Sequence, residues 1–145
     1  MADNDDVQRL VDIEAIKQLK ARYFRLMYQK RWDEWAMVFT DDVHMVVPEG
    51  EVDTTGRDEV VANLRVILQE VVTVHHGHMP EIEITGPDTA TGTWAMEDNL
   101  EFPGADGGAS LRLHGFGHYT ETYRRTDDGW QIATLRLDRL RLDIS

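Results

Sequence analysis

The chain has 145 residues, of which 41% are hydrophobic and 29% are charged, values typical of one globular domain, which we expect over residues 1–145. Its formal net charge of -12 at pH 7 argues against nucleic acids and anionic membranes as partners, because both are bound by clustered Lys and Arg. It has no cysteine, which excludes disulfides, and its acidic start lacks a long apolar run, so we expect a cytoplasmic protein.

The first half of the chain predicts helices. From Val7 to about Lys30, apolar residues recur at three- and four-residue steps, which places Tyr23 on the apolar stripe of a helix and Lys20 off it. Three shorter elements follow: a helix at "WDEWAMVF" (32–39), a strand at "DDVHMVVPEG" (41–50) that ends in a Pro/Gly turn, and a helix at "GRDEVVANLRVILQEV" (56–71).

The second half changes to a period of two, which is typical of strands. The predicted strands cover 73–84, 89–102, 110–125 and 129–143, with tight turns at "TGPDT" and "TDDG" and a loop at "PGADGGAS". Helices followed by consecutive strands indicate an α+β fold in which the helices pack on one face of a mainly antiparallel sheet. Gly92, Gly115 and Gly117 would let long strands bend, so we expect a curved, cone-shaped sheet.

The strand at 89–102 contains a carboxylate on an apolar face. Trp94, Met96 and Leu100 share that face with Asp98, while the other face is polar. A buried carboxylate is costly unless something pairs with it, so Asp98 is a candidate functional residue. Tyr23 is its counterpart on the first helix, since a buried phenol usually has a hydrogen-bond partner. The pattern alone favours an ordinary core tyrosine whose hydroxyl donates to a backbone carbonyl.

Three histidines, His75, His76 and His78, lie in the strand "TVHHGHMPEIEI". Strict alternation would direct His75 to solvent. However, Pro80 cannot donate a ladder hydrogen bond, and a bulge there would exchange the two faces. Alternation alone therefore leaves open which histidine points inward.

A metal site and a catalytic base are the two functional interpretations of these histidines. His114 and His118 share a face with Phe116 and could add metal ligands, but no helical ligand pair such as HExxH is present, and we expect no metal. A carboxylate beside an imidazole fixes its tautomer and raises its basicity, and a phenol can stabilise an oxyanion. This combination indicates proton abstraction next to a carbonyl group.

Four segments, "IEAIKQLKARYFRLMYQKRWDEW", "HHGHMPEIEI", "TATGTWAMEDNL" and "YTETYRRTDDGWQI", resemble SnoaL-like proteins of the nuclear transport factor 2-like superfamily. Within that group the likeness is to bile acid 7α-dehydratases and, more distantly, to scytalone dehydratases. The resemblance implies a cone-shaped α+β fold with a deep apolar pocket and no cofactor. It also implies that Tyr23, His75 and Asp98 are catalytic, with Arg139 from the last strand beside them.

One position departs from the resemblance. The dehydratases have an aspartate five residues after the tyrosine, where this chain has Tyr28, so the bile acid reaction itself is in question. A second phenol could instead donate a hydrogen bond to a substrate oxygen. We expect six residues to bind substrate in the pocket: Tyr28, Trp94, His114, Phe116, His118 and Arg139.

The resemblance implies a cofactor-independent dehydratase that eliminates water from a steroid-like or polycyclic hydroxy-carbonyl compound. An isomerase similar to ketosteroid isomerases is one alternative, and a non-catalytic small-molecule-binding module is another, because a fold alone does not fix a function. We expect an apolar small-molecule substrate and a homo-oligomer, either a dimer or a trimer.

Overall fold

The computed structural model describes residues 3–145, which form three helices and one six-stranded sheet. The helices are α1 (Asn4–Tyr28), α2 (Trp32–Ala36) and α3 (Arg57–Leu68). The strands are β1 (Phe39–Val47), β2 (Val52–Thr55), β3 (Val72–Ile84), β4 (Thr89–Pro103), β5 (Ala109–Thr126) and β6 (Gly129–Ile144). Within residues 3–145 no helix combines the length and the apolar character that a membrane crossing requires.

The strands follow the order β2-β1-β6-β5-β4-β3 across the sheet. β1 and β6 are parallel, and every other neighbouring pair is antiparallel. The core lies between the helices and the inner face of this sheet, and the predicted α+β architecture is confirmed. Two details differ from the prediction: β2 was missed, and Phe39 begins β1 instead of ending the second helix.

The first helix begins with a capping interaction and buries one side. Asp3 Oδ1 accepts the backbone N–H of Asp6 at 2.8 Å, which satisfies one of the unpaired donors at the helix start. Tyr23 lies on the buried side, as predicted. Lys20 does as well, so the prediction that Lys20 lies off the apolar stripe is wrong. Its buried ammonium group is compensated by a carboxylate of the sheet, that of Glu121 on β5.

Strand β3 contains the bulge that Pro80 suggested. His78 pairs with Ala95 and Glu81 with Thr93, so three steps along β3 oppose two along β4. The extra residue exchanges the two faces of the strand, and Met79 has a φ of 35° there. Thr73 and His75 therefore point inward before the bulge, and Ile82 and Ile84 are the more buried residues after it.

Candidate active site

Strands β3, β4 and β6 bring a histidine, an aspartate and an arginine together on the inner face of the sheet. His75 pairs directly with Asp98 in the β3–β4 register, and its Nε2 lies 3.4 Å from Asp98 Oδ2. Arg139 contacts the same carboxylate with Nη2, and its Nε lies 3.4 Å from Oδ1. Asp98 is fully buried, and His75 is 6% exposed. The carboxylate therefore has two partners, as a buried charge requires.

A glycine on β5 makes room for this arrangement. Gly115 pairs with Asp98 in the β4–β5 register, and a Cβ at this position would overlap both the Asp98 carboxylate and the Arg139 guanidinium. Arg139 also reaches Glu49, whose Oε2 lies 3.3 Å from Nη1. Burial works against the charge of Arg139, but the hydrogen bonds to Asp98 and Glu49 outweigh it and raise the pKa of the guanidinium.

The imidazole of His75 is neutral at physiological pH. Burial lowers its pKa to about 4, against the attraction of Asp98 and with a further lowering by Arg139 and Lys20. Its Nδ1 is buried and has no hydrogen-bond partner among residues 3–145. The neutral ring therefore has Asp98 beside Nε2, and its buried Nδ1 is the nitrogen left to act as a base.

Two tyrosines face this cluster from α1 and β5. The rings of Tyr23 and Tyr119 lie 6.1 Å apart in an edge-on arrangement. Burial raises the pKa of both phenols, so both keep their protons at neutral pH. The Tyr119 hydroxyl is buried without a partner in the described part of the chain. Both phenols lie on the cavity wall, where each could donate to a ligand, and the two hydroxyls also act on each other.

A buried ion pair that was not predicted from the sequence contacts the two tyrosine rings. Lys20 Nζ is 2.6 Å from Glu121 Oε1, and both side chains are fully buried. The ammonium lies 3.8 Å from the ring centroid of Tyr23 and 3.6 Å from that of Tyr119. Burial lowers the pKa of Lys20 to about 8, although Glu121 acts in the opposite direction. The available signal was Glu121 itself, which alternates with Tyr119 and Tyr123 on one face of β5.

Four polar side chains of the site line a partly enclosed cavity of about 180 Å³ between the helices and the sheet, hereafter the enclosed cavity. Its polar wall consists of Tyr23, His75, Tyr119 and Arg139, with Asp98 behind His75. Its apolar wall includes Met45, Val47, Leu64, Leu68, Leu113 and Leu135. Three of the sequence-predicted site residues thus meet in one cavity and a fourth supports them. The structure adds Tyr119.

Two predicted residues lie elsewhere. Tyr28 and Trp94 line an open groove of about 460 Å³ between α1 and β3, which reaches His75 from the other side. The Tyr28 hydroxyl accepts the backbone N–H of His75 at 3.0 Å, and Trp94 Nε1 donates to the Tyr123 hydroxyl at 2.9 Å. Neither residue lines the enclosed cavity, so neither is positioned to contact a ligand inside it. Tyr28 instead holds the backbone of His75.

The predicted positions of His114, Phe116 and His118 in the pocket are wrong. The inward residues of β5 are Gly115, Gly117 and Tyr119, and the intervening residues therefore point to the outer face. Alternation along β5 places the three on one face, as predicted, but it does not show whether that face points toward the core or toward solvent.

The fold and the cavity define a class of protein: helices closing a curved sheet over an apolar cavity that contains a few convergent polar groups. Within that class, residues 8–136 match the model of the SnoaL-like domain, and the chain belongs to this family, as its sequence resemblance predicted. The more specific likeness to bile acid 7α-dehydratases stays a prediction.

Individual relatives agree with this assignment. A protein named a probable cyclase, FGR4 of Gibberella zeae, is 27% identical over 135 residues, covering 86% of this chain and 89% of its own. Type 2 hexachlorocyclohexane dehydrochlorinase LinA has a TM-score of 0.83 at 19% identity, with 97% and 93% covered. A candidate scytalone dehydratase of Novosphingobium aromaticivorans has a TM-score of 0.79 at 21% identity, with 92% and 87% covered. The two structures confirm the nuclear transport factor 2-like fold.

Proposed function

We propose that this domain is a cofactor-independent lyase that eliminates water from a hydroxy-carbonyl compound bound in the enclosed cavity. The observation that carries the proposal is His75: a buried, neutral imidazole with Asp98 at Nε2 and an unpartnered Nδ1, on the wall of an apolar cavity. A neutral imidazole can accept the proton of a C–H group next to a carbonyl, and Asp98 at its other nitrogen can stabilise the imidazolium that forms.

The reaction proceeds in two steps. His75 Nδ1 removes the proton on the carbon next to the carbonyl, and Tyr23 and Tyr119 donate hydrogen bonds to the resulting enolate oxygen. The enolate electrons then form the conjugated C=C bond and expel the hydroxyl group on the next carbon. That hydroxide takes the proton from His75 and leaves as water. A positioned base contributes about 10²–10⁴-fold in rate, and each oxyanion donor contributes a comparable factor.

Asp98 and Arg139 act on the base rather than on the substrate. The Asp98 carboxylate stabilises the imidazolium that forms on His75 after proton transfer. Arg139 shares this carboxylate and gives its buried charge a second partner. The names of two structural relatives, a dehydratase and a dehydrochlorinase, also denote eliminations and support a lyase.

The cavity favours a substrate smaller than a steroid. Its volume of about 180 Å³ is close to the roughly 150 Å³ of a protein cavity that binds benzene, and it lies below the roughly 300 Å³ at which drug-sized pockets begin. One ring with its carbonyl and hydroxyl groups fits, whereas four fused rings would require the α3 wall at Leu64 and Leu68 to move outward.

Isomerisation is a second candidate. Among the side chains that the structure describes, the cavity wall has one base and two phenols but no carboxylate. That set is sufficient to move a proton from one carbon to another through an enolate. Loss of the mass of one water separates dehydration from isomerisation, which conserves mass.

The test is a panel of cyclic β-hydroxy-ketones of one, two and four rings, analysed by mass spectrometry and by the ultraviolet absorbance of the conjugated ketone. We expect turnover of one- or two-ring members and a loss of at least about 10²-fold in His75→Gln and Asp98→Asn. His44→Gln is the matched control, because His44 is on β1 and pairs with exposed Asp53. Retention of ligands with unchanged mass and unchanged ultraviolet absorbance by every protein would instead indicate a binding module, whereas unchanged mass with a new absorbance would indicate isomerisation.

A further inference from the structure

The outer face of the sheet carries most of the histidines of the chain. Besides His44 on β1, four histidines lie there on β3 and β5: His76 and His78, and His114 and His118. None of these four lines the enclosed cavity. The inward His75 is part of the proposed catalytic site, so the outer histidines require a separate explanation.

Three outer side chains converge. One imidazole nitrogen from each of His76 and His78 and one carboxylate oxygen of Glu97 all lie within 4.8 Å of one another. The fold sets this geometry: the two histidines are two residues apart on β3, ahead of the bulge, and Glu97 is the cross-strand partner of His76. The ring centroids of the two histidines are 6.0 Å apart.

A fourth residue orients the carboxylate. His114 on β5 places Nε2 at 2.7 Å from Glu97 Oε1. Metal-binding carboxylates are commonly held by a second hydrogen-bonding residue in this way, and that residue sharpens the affinity. The cluster therefore spans three adjacent strands.

We propose that His76, His78 and Glu97 form a surface site for a divalent transition-metal ion such as Zn²⁺ or Ni²⁺, with His114 as a positioning residue. Imidazole nitrogens bind these ions in preference to Mg²⁺ or Ca²⁺, which favour oxygen ligands. In a tetrahedral zinc site the ligand atoms lie about 3.4 Å from one another. The ligand atoms here lie within 4.8 Å of one another and reach that spacing by rotation of the side chains, which the exposure of both histidines allows.

Two features of the chain fit this proposal. The net charge of -12 raises the local concentration of cations around the protein. Three protein ligands leave at least one coordination position for water, so the site is open to solvent. The proposal departs from the sequence-based expectation of no metal, because the third ligand is Glu97 and not one of the β5 histidines.

The test is isothermal titration of the untagged, chelator-treated chain with zinc chloride and nickel chloride, with magnesium chloride as the comparison ion. We expect one zinc or nickel ion per chain, no heat from magnesium, and a rise in the thermal midpoint with zinc, because a ligand that binds only the folded state stabilises it. His78→Ala and Glu97→Gln should each weaken zinc binding at least about tenfold, and His114→Ala should weaken it about tenfold.

His118→Ala and His44→Ala are the matched controls. His118 lies on the same outer face but outside the cluster, and His44 lies on β1. Unchanged zinc affinity in His78→Ala, or an equal loss in His118→Ala, would overturn the proposal. Both controls and all three test variants change exposed or half-exposed side chains, so their thermal midpoints without metal should match the wild type. The result does not depend on the proposed lyase activity.

Discussion

Among the ion pairs of residues 3–145, Lys20–Glu121 is the one in which neither side chain has access to water. Removing one partner leaves the other charge uncompensated, so we expect Lys20→Met to lower the free energy of unfolding by about 3–5 kcal/mol. The double variant Lys20→Met/Glu121→Leu should be more stable than Lys20→Met, since an apolar pair of similar volume often replaces a buried ion pair without loss.

Urea unfolding at neutral pH measures these differences. Lys17→Met is the control, because Lys17 is exposed on the same helix and its pairing with Glu14 at 3.9 Å is a surface contact of small value. A double variant as unstable as Lys20→Met would contradict the argument. It would show that the contact between the Lys20 ammonium and the rings of Tyr23 and Tyr119 contributes to the stability of the fold.

Gly115 tests how tightly the Asp98–Arg139 contact is enclosed. Gly115→Ala places a methyl group on both side chains, so we expect a loss of about 1–3 kcal/mol in stability and a displaced Asp98. Lyase activity should fall with it, because His75 would lose its partner. Gly108→Ala is the control, since a Cβ there meets Asp106 only at ordinary contact distances. Full activity in Gly115→Ala would show that Asp98 does not need its present position.

At the scale of single residues, the sequence predicts a site residue well when it is the one charged residue among apolar neighbours on the same face of its element. Asp98 stands alone among apolar neighbours on β4, and its burial is confirmed. Lys20 has no such contrast, because its burial depends on Glu121, about a hundred residues away in the chain. The outward direction of His114 likewise depends on Tyr119 filling the core, which alternation alone does not state.

At the scale of elements, the bulge in β3 decides which side chains reach the cavity. It lets His75 point inward near one end of the strand while Ile82 and Ile84 cover the core near the other. Deleting Met79, which is 92% exposed, removes the extra residue without removing core contacts of its own. Without it, His75, Ile82 and Ile84 alternate regularly onto one face, so the shortened strand can keep all three inward without a bulge.

We therefore expect the Met79 deletion to lower the free energy of unfolding by no more than about 1 kcal/mol, because it removes an exposed side chain and leaves the inward residues inward. Deleting Gly107, in the exposed loop between β4 and β5, is the matched control and should cost a similar amount. Circular dichroism and urea unfolding provide the measurements. A loss of several kcal/mol for the Met79 deletion alone would mean that the two halves of β3 need the bulge itself to face the core.

The sequence also explains which elements were predictable. The long strands β3 to β6 and helix α1 have enough residues for their periods to be recognised. Strand β2 has four residues, too few for a pattern, and it exists because β1 offers an open edge beside it. The sheet order follows from that edge and from the parallel β1–β6 pairing. This pairing joins strands about 90 residues apart in the chain, so no local sequence pattern predicts it.

At the scale of the whole molecule, burial of the tyrosines couples stability to alkaline pH. Burial raises the pKa of Tyr23, Tyr119 and Tyr123, so these phenols keep their protons in the folded chain. In the unfolded chain they lose them near pH 10. Above that pH the unfolded state binds fewer protons than the folded state, and stability falls by up to about 1.4 kcal/mol per pH unit for each tyrosine.

Lys20 acts in the opposite direction in a lower window. Its pKa is lowered to about 8 in the folded chain, so between that pH and about 10.4 the unfolded state binds more protons and stability should rise slightly. Urea unfolding from pH 7 to about pH 11 should thus show a shallow rise and then a steep fall. Tyr119→Phe should keep its stability at neutral pH, because the hydroxyl has no partner in residues 3–145, and should have a shallower fall. Phenolate absorbance developing near pH 10 in the folded wild type would contradict the coupling, because the tyrosines would then titrate as they do in the unfolded chain.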